Sequence, residues 1–420
     1  CQPPSCMDGV KNGTETDIDC GGAGCQKCQG GQSCGAGTDC LLGVCTANKC
    51  SPVAWTQVYG NSVNVSGGLK SLSVDPSGAF VVAGSMGDSL QVNGTAYLGA
   101  VERYTQGGAL IWSRRIGTSA YAATDSGNNA FVVGTFVNMT DFGDGKFLVP
   151  SASGDAFVAK YNSTGALQWV KTFTATTGMR AAVVAVDPNG DAVVAGTFNG
   201  TGNAGGGNLP TSGGVWFARY ASATGAHMLS SSLAVTATVR GLAIRPNGDL
   251  ALWLSSIQNN ANFGGGAVAN PNGQSYAVLL TLSSAGVYQR QRVYGAGATT
   301  VAYAAGGLTS DSTGELYVSG TVLSLGANNT PGNVGQATAG QPGFTCYVGP
   351  FVGRYAGATS NHVWSACAAT GGSGGAGLNL AVDGNQGVTL IGSLNGTVNL
   401  GTGAVTSTRS SLLLARFASN

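Results

Sequence analysis

The chain has 420 residues, of which only 9% are charged, and its formal net charge is +1. This weak charge excludes a nucleic-acid partner or another polyanion that binds through a dense basic stripe. Because 43% of the residues are hydrophobic, the 70 glycines do not indicate a disordered tract. Short apolar runs separated by Gly, Ser, Thr and Asn predict an all-β protein, and none approaches the roughly 20 apolar residues that span a bilayer.

The first 50 residues contain nine of the eleven cysteines. A segment this short cannot build a core of its own, so the cysteines predict a disulfide framework formed in an oxidising compartment. Zinc is the alternative, since Cys25 and Cys28 form a C-x-x-C pair, but the segment contains no histidine. We therefore expect a disulfide-rich module over residues 1–50 of an extracellular protein. Its cysteines are Cys1, Cys6, Cys20, Cys25, Cys28, Cys34, Cys40, Cys45 and Cys50.

The odd number of cysteines bears on membrane attachment. Cys346 and Cys367 flank a predicted hairpin of the fifth repeat and are expected to bond to each other, which leaves nine in the module. Lipid attachment at Cys1, as in a mature bacterial lipoprotein, would leave eight cysteines for four disulfides. A chain trimmed by chance at a cysteine and an intermolecular bridge are the alternatives. The expectation is a surface protein that contacts a membrane only through a lipid at Cys1.

The stretch DGVKNGTETDIDCGG (8–22) resembles a Cys-rich module with the pattern DG-x-x-NG-x-ETD-x-DCGG, which precedes large extracellular proteins. Five oxygen-bearing side chains cluster here, and hard oxygen ligands spaced around glycines suit Ca²⁺. The alternative is a solvated acidic loop whose side chains cap backbone N–H groups. The candidate calcium ligands are Asp8, Asn12, Glu15, Asp17 and Asp19.

Six repeats follow the module. Each begins with an apolar strand, a turn that is D-x-x-G in most repeats, and a second apolar strand; the six segments span 71–85, 122–135, 183–197, 242–255, 308–321 and 380–393. A variable loop leads to a third strand of the type F-V-A-K-Y, and a fourth strand begins near a bulky residue such as Trp112 or Trp169. The third strands are expected over 100–104, 156–161, 216–220, 276–282, 351–355 and 412–417. Four short strands repeated at this period predict a β-propeller, whose blades bury their apolar faces against one another.

The sixth repeat ends without a fourth strand. Residues 53–60 (VAWTQVYG) match the fourth strand of the first repeat, with Trp55 in the place of Trp112. Pairing 53–59 with 412–417 would close the ring and hide two strand edges. The sequence thus predicts a six-bladed β-propeller over 51–420 behind the module 1–50.

The second repeat, DSGNNAFVVGTFVNMTDFGDG…DAFVAKYNSTGALQWVKTF, carries the strongest family resemblance. It resembles the bacterial SBBP-type β-propeller repeat, V-D-x-x-G-x-h-h-h-x-G-T-F…F-V-A-K-Y…G-x-x-x-W. The resemblance implies a propeller architecture for 53–420. It implies no activity, because such repeats occur in extracellular proteins of unassigned role.

Few residues suit catalysis. Two histidines, His227 and His362, fall at turns, and the repeated turn aspartates are expected to accept backbone N–H bonds rather than to react. Asp141 and Asp144 in DFGDG are candidates for Ca²⁺ or for a hydrolase, although a polar hairpin loop explains them as well. We expect a protein that is not an enzyme.

The variable loops lie on one face of the predicted propeller, where recognition is usually placed. They are expected over 84–98, 134–155, 197–214, 255–275, 320–345 and 393–410. Near the axis we expect a ligand site of cations and aromatics for a sugar or an anionic group, although ordinary channel lining is the alternative. Its candidate residues are Lys70, Arg180, Arg240, Tyr121, Tyr303 and Asn379. The leading function is binding of an extracellular glycan or protein; the alternatives are a subunit of a surface layer or filament, which would associate with itself, and a propeller hydrolase or lyase.

Overall fold

The computed structural model describes residues 5–28, 32–40, 45–50, 68–92, 95–106, 108–258, 260–270, 273, 275–295, 303–322, 332–335, 344–346, 349–367, 369–370, 376–382, 388–399 and 404–417. The chain divides into two compact units, one of residues 1–62 with 104–110 and one of residues 63–103 with 111–420. Among the described residues, none belongs to a helix long and apolar enough to cross a membrane.

Disulfides hold the first unit together, as the cysteine density predicts. The four bridges are Cys6–Cys25, Cys20–Cys28, Cys34–Cys45 and Cys40–Cys50. Among the described residues of 1–50, regular structure consists of a 3-10 turn over Gly37–Asp39 and a small hairpin of β1 (Cys45–Thr46) and β2 (Lys49–Cys50). Buried half-cystines form the small core, which replaces the apolar core that so short a segment cannot build. The C-x-x-C cysteines belong to two different disulfides, so the zinc alternative is wrong.

The second unit is an all-β propeller of antiparallel sheets. The first five repeats each form one sheet whose four main strands follow chain order from an inner to an outer position. These main strands are β3 (Gly68–Val74), β4 (Phe80–Val92), β5 (Thr95–Tyr104) and β6 (Leu110–Arg115); β7 (Ser119–Thr124), β8 (Ala130–Phe136), β11 (Asp155–Tyr161) and β12 (Leu167–Ala175); β13 (Met179–Val186), β14 (Ala192–Asn199), β16 (Gly213–Tyr220) and β17 (His227–Leu233); β18 (Thr238–Ile244), β19 (Leu250–Ile257), β22 (Tyr276–Leu282) and β23 (Tyr288–Tyr294); β24 (Tyr303–Ser310), β25 (Leu316–Val322), β28 (Gly349–Tyr355) and β29 (His362–Cys367).

Short strands decorate several of the connections between second and third strands. They are β9 (Thr140–Asp141) and β10 (Phe147–Leu148), β15 (Gly202–Asn203), β20 (Ala261–Asn262) and β21 (Ala267–Val268), and β26 (Gly332–Gly335) and β27 (Phe344–Cys346). β15 pairs with β12, the outer strand of the preceding blade. The connection of the third repeat therefore ties two blades together.

The predicted number of six complete blades is wrong: in the part of the chain that the structure describes, five blades are complete. The sixth repeat forms a sheet of β31 (Ala376–Val382), β32 (Val388–Asn399) and β33 (Ala404–Phe417), with the two-residue β30 (Ala369–Thr370) beside β32. Its three long strands lack a described fourth strand beside β33, because the repeat itself supplies only three. The predicted closing strand 53–59, with Trp55, lies outside the described residues.

Two predicted loops are strand instead. In the first repeat β4 and β5 occupy most of the expected loop 84–98, because β4 ends at Val92 and β5 begins at Thr95. The two residues between them in sequence are Asn93-Gly94, a pair typical of a two-residue hairpin turn. In the sixth repeat β32 and β33 likewise extend through much of 393–410.

Apolar side chains pack between neighbouring blades. Phe217 on β16 and Leu252 on β19 belong to one buried cluster that joins the third and fourth blades. Trp253 on β19 is fully buried, and its Nε1–H donates to the carbonyl of Ser319 on β25 of the next blade at 2.7 Å. A single four-stranded sheet cannot bury its own apolar faces, so each blade forms its core together with its neighbours.

The turn aspartates have the structural role that the repeats predict. Asp75, Asp125, Asp187 and Asp311 each accept at least one backbone N–H within their own turn, at 2.8–3.0 Å. The carboxylates of the first three also meet a cation from the third strand of the same blade. The pairs are Asp75–Arg103, Asp125–Lys160 at 3.5 Å and Asp187–Arg219 at 3.4 Å.

The same cations also join consecutive blades. Arg103 donates to the carbonyl of Asn128 in the turn of the second blade, and Arg219 donates to that of Gly248 in the turn of the fourth. In the fourth blade the charges are exchanged within the turn: Arg245 pairs with Asp249 and donates to the carbonyl of Gly314 in the fifth. One buried ion pair therefore both fixes a turn and links it to the next blade.

A disulfide between Cys346 and Cys367 stays a prediction. Cys346 on β27 lies opposite Gly332 of β26, β26 lies near β29, and Cys367 is the last residue of β29; the two cysteine side chains lie outside the described part of the chain. We expect the bridge to close a loop of about 20 residues and to stabilise the fifth blade by ~3 kcal/mol. Non-reducing peptide mapping should recover both cysteines in one linked peptide pair. Recovery of two alkylated thiols would contradict it.

Candidate functional site

Inner strands of all six repeats surround one cavity on the propeller axis, which we call the axial channel. Its volume is about 300 Å³. Residues from β3, β7, β13, β18, β24 and β31 line it, including Lys70, Tyr121, Val184, Arg240, Thr309 and Asn379. The channel is therefore built by the repeat, while its chemistry depends on the residues that differ between repeats.

A β-bulge recurs in the inner strands and shapes this lining. The pairing of β3 with β4 shifts around Lys70, that of β13 with β14 around Ala182, and that of β18 with β19 around Arg240. In β24 and β31 the pairing shifts at the corresponding place, which lies five residues before the turn position that Asp75 holds in the first repeat. β7 pairs with β8 without a shift. A bulge leaves one residue unpaired and re-aims its side chain. Lys70 and Arg240 are the two cations at these bulges.

The channel has an unbalanced positive charge. Lys70 and Arg240 are both exposed, and they are the charged side chains among the described residues that line the channel. In the described part of the chain neither has a carboxylate within ion-pair distance. Nearby hydroxyls are partly used by the fold, because Ser71 and Ser73 accept the backbone N–H groups of Ala122 and Thr124.

Tyr121 adds a neutral phenol to the channel. Burial raises the pKa of Tyr121 above its ordinary value of 10.0, and the positive charge of Arg240 opposes part of that rise. The opposition indicates that the Arg240 charge acts at the phenol, although the two residues come from different blades. At neutral pH Tyr121 is protonated, as a tyrosine of ordinary pKa also is, and its phenol can donate a hydrogen bond.

Four of the six predicted ligand residues meet in the channel: Lys70, Tyr121, Arg240 and Asn379. Arg180 is exposed near the start of β13, opposite Thr197, and is not among the described residues that line the channel. It precedes the bulge at Ala182 by two residues, and a bulge has no signature in the sequence of one strand. The side chain of Tyr303 lies outside the described part of the chain. Ligand binding by these residues stays a prediction.

The predicted calcium ligands make hydrogen bonds within the module. Asp19 accepts the N–H groups of Asp8 and Gly9, and Asp8 accepts that of Val10 and the side-chain amide of Asn12. Glu15 accepts the N–H of Asn12, and Asp17 accepts those of Ile18 and Ser33. In the described residues no group of three clustered ligand atoms contains two of these carboxylates. Hydrogen bonding accounts for the four carboxylates, whereas Asn12 Oδ1 is buried without a hydrogen-bond partner among the described residues. Calcium binding stays a prediction.

The DFGDG loop of the second repeat has a structural explanation. Asp141 accepts the N–H groups of Gly143 and Gly145, at 2.7 and 3.1 Å. Asn262 makes the same two bonds to Gly264 and Gly266 in the fourth repeat, and Asn203 bonds Gly205 in the third. An amide replaces the carboxylate in two of three repeats, so this position does not require a charge.

We therefore predict that Asp141→Asn leaves the free energy of unfolding within about 0.5 kcal/mol of wild type, whereas Asp141→Ala lowers it by about 1 kcal/mol. Urea denaturation of both variants measures the difference. A large loss in Asp141→Asn would mean that the carboxylate has a role the other repeats do not share, such as holding a cation.

The other acids in the described part of the propeller are also engaged. Glu102 pairs with Arg115 and Glu315 with Arg354, Asp155 accepts from Ser151, and Asp191 accepts the N–H of Ser222. None of the described acids lines the axial channel. Paired carboxylates in one pocket, which a glycosidase uses, are therefore not found among the described residues.

The histidines offer little more. The His362 Nε2 lies 2.8 Å from Ser365 Oγ on β29, and burial together with the Arg292 charge lowers the pKa of His362. In the described residues no carboxylate bonds to this ring, so the pair lacks the acid that orients a catalytic histidine. His227 packs against Tyr220 with ring centroids 6.2 Å apart.

Comparisons with known proteins add little beyond the fold. No protein-family model matches the chain, and no curated protein matches it. A protein of unknown function from Dyadobacter fermentans covers 84% of this chain and 95% of its own at 10% identity, with a TM-score of 0.45. A polysaccharide lyase, described as an ulvan lyase, covers 81% and 82% at 9% identity and a TM-score of 0.45. Regucalcin from Agrobacterium tumefaciens, a calcium-binding protein, covers 77% and 81% at 10% identity and a TM-score of 0.36. At these scores the matches carry no conclusion about activity or ligand.

Proposed function

We propose that this chain is a non-enzymatic extracellular surface protein that binds a glycan or a protein through its propeller. The observation that carries the proposal is the division of charge in the second unit. The described acids accept hydrogen bonds in turns or form ion pairs. Lys70 and Arg240, in a channel of about 300 Å³, have no carboxylate partner among the described residues. Such an arrangement favours holding a ligand over the acid–base chemistry of a hydrolase.

The disulfide module supports the extracellular part of the proposal. Four bridges within so short a segment persist in oxidising surroundings and are rare in the cytosol. We further propose that the propeller repeats are of the bacterial SBBP type. Cys1, the predicted lipid site, lies outside the described residues.

The proposed binding can be tested on the full chain with a panel of immobilised polysaccharides and surface proteins. We expect saturable binding by a monomeric protein, with no new reducing ends or unsaturated products after long incubation. Ordered self-association without any ligand in sedimentation velocity would favour a layer or filament subunit instead. Product formation would favour a hydrolase or lyase, and its loss in an Asp141→Asn/Asp144→Asn double variant would assign the acids.

A further inference from the structure

The two channel cations differ from the basic residues that hold the turns of the blades. Arg103, Lys160, Arg219, Arg245 and Arg354 each meet a carboxylate within 3.5 Å, and each is largely buried. Lys70 and Arg240 are exposed in the channel and lack such a partner in the described part of the chain. An uncompensated pair of cations in a concave site attracts an anion, because low-dielectric walls concentrate the field there.

The fold does not require a cation where these two stand. The unpaired residue is Ala182 in the third repeat and Leu378 in the sixth, and in the fifth repeat both Gly306 and Gly307 are unpaired. The same bulge therefore forms around small and apolar residues. Lys70 and Arg240 are not explained by the architecture that surrounds them, which makes a ligand the better explanation.

Neutral donors accompany the two charges. The Tyr121 phenol, the Thr309 hydroxyl and the Asn379 amide line the same channel, and Asn379 accepts the Leu380 N–H through Oδ1, which leaves its NH₂ group to donate. Leu72 presents a half-exposed apolar side chain beside them. Charged, hydroxyl, amide and apolar groups together match a sugar ring that bears an acidic substituent, with its hydroxyls, its C–H face and its anion.

The size of the channel limits what enters it. A volume of about 300 Å³ is at the small end of ligand pockets, which span roughly 300–1,000 Å³. One sugar unit fits this space better than a folded protein segment with several side chains. The channel therefore suits the acidic end or a side unit of a larger glycan.

We infer that the axial channel binds a single acidic sugar unit, with its anionic group between Lys70 and Arg240 and its hydroxyls near Tyr121 and Asn379. This inference rests on the proposed binding function and names the ligand class for one site within it.

The test compares three probes on the full chain: glucuronate, which carries both features; glucose, which lacks the charge; and inorganic sulfate, which lacks the ring. We expect glucuronate to bind at least about 10-fold more tightly than either of the others. Lys70→Met and Arg240→Met should each weaken glucuronate binding by about 10- to 100-fold. Arg180→Met is the matched control, since it removes an exposed cation outside the channel lining, and should bind as wild type does.

A second readout needs no variant to fold. With ¹³C-labelled tyrosine, the Tyr121 ring resonance should shift on addition of glucuronate, and its pKa should rise because the bound anion offsets the Arg240 charge. Equal binding of glucose and glucuronate, sulfate binding as tight as glucuronate, or an unmoved Tyr121 resonance at saturation would each overturn the inference. If Lys70→Met and Arg240→Met still bind an immobilised polysaccharide as wild type does, the channel assignment falls while the binding function stands; if wild type binds nothing, both fall.

Discussion

Replacing Arg103 by methionine is expected to lower the free energy of unfolding of the propeller by about 3–5 kcal/mol. The side chains of Arg103 and Asp75 are 2% and 0% exposed, so the substitution leaves a carboxylate buried without its partner. It also removes the hydrogen bond that Arg103 donates to the Asn128 carbonyl of the next blade, at 2.8 Å. Urea denaturation followed by tryptophan fluorescence gives the loss.

Three controls separate the ion pair from a general loss of packing. Arg103→Lys should cost less, because Lys160 occupies the same position in the second blade and meets Asp125 there. Asp75→Asn combined with Arg103→Met should recover part of the loss, since no charge then remains buried. Arg180→Met, on an exposed side chain, should change stability by less than about 0.5 kcal/mol. If Arg103→Met proved as harmless as Arg180→Met, the pair would not link the first two blades.

The repeats made this pairing visible in principle. The turn aspartate and the cation of the third strand occur together in the first three repeats, and the fourth repeat loses both, with Arg245 and Thr281 in their places. The aspartates by themselves predict correctly that they cap their turns, but they do not predict the cations that pair with them. Those cations become predictable when the turn and the third strand of each repeat are compared together.

Strand positions followed from the sequence because each blade repeats the same alternation of apolar runs and turns. The predicted third strands 156–161, 216–220 and 351–355 fall within β11, β16 and β28. Features set by tertiary contacts did not follow. The sequence of one strand does not show where a bulge occurs. The sequence therefore predicts Arg180 in the channel together with Arg240, although the bulge at Ala182 lies between Arg180 and the part of β13 that lines the channel.

The short hairpins in the second-to-third connections were also missed, because their glycine-rich sequences look like loops. In the second repeat this hairpin lies against the blade: Phe142 packs edge-to-face against Phe157, with ring centroids 4.9 Å apart, and Tyr161 donates to the Phe142 carbonyl. Asp141 and its asparagine equivalents were the available signal, since an Asx residue before Gly-rich turns is typical of a capped hairpin. The connection that the sequence predicts as a variable recognition loop therefore packs partly against its own blade.

Gly225→Ala is expected to destabilise the propeller by about 2–5 kcal/mol, from backbone strain and overpacking together. Gly225 lies between β16 and β17 at a φ of +66°, a conformation that costs any other residue free energy. A Cβ there would also lie 2.7 Å from Cε3 of Trp169 on the outer strand of the preceding blade. Trp169 is held in place, because it is 9% exposed and its Nε1–H donates to the Ser222 carbonyl at 2.9 Å.

Gly190→Ala separates the two causes. Gly190 has a φ of +83°, but the nearest atom to an added Cβ is Ser222 Oγ at 3.7 Å, so this variant reports backbone strain without a clash. We expect it to cost about 1–2 kcal/mol, and the excess in Gly225→Ala to measure the contact between the second and third blades. In a Trp169→Ala background that excess should disappear, because the added methyl group then enters vacated space. An excess that survived the removal of Trp169 would place the strain within the turn itself, and the close approach of the two blades would contribute nothing to it.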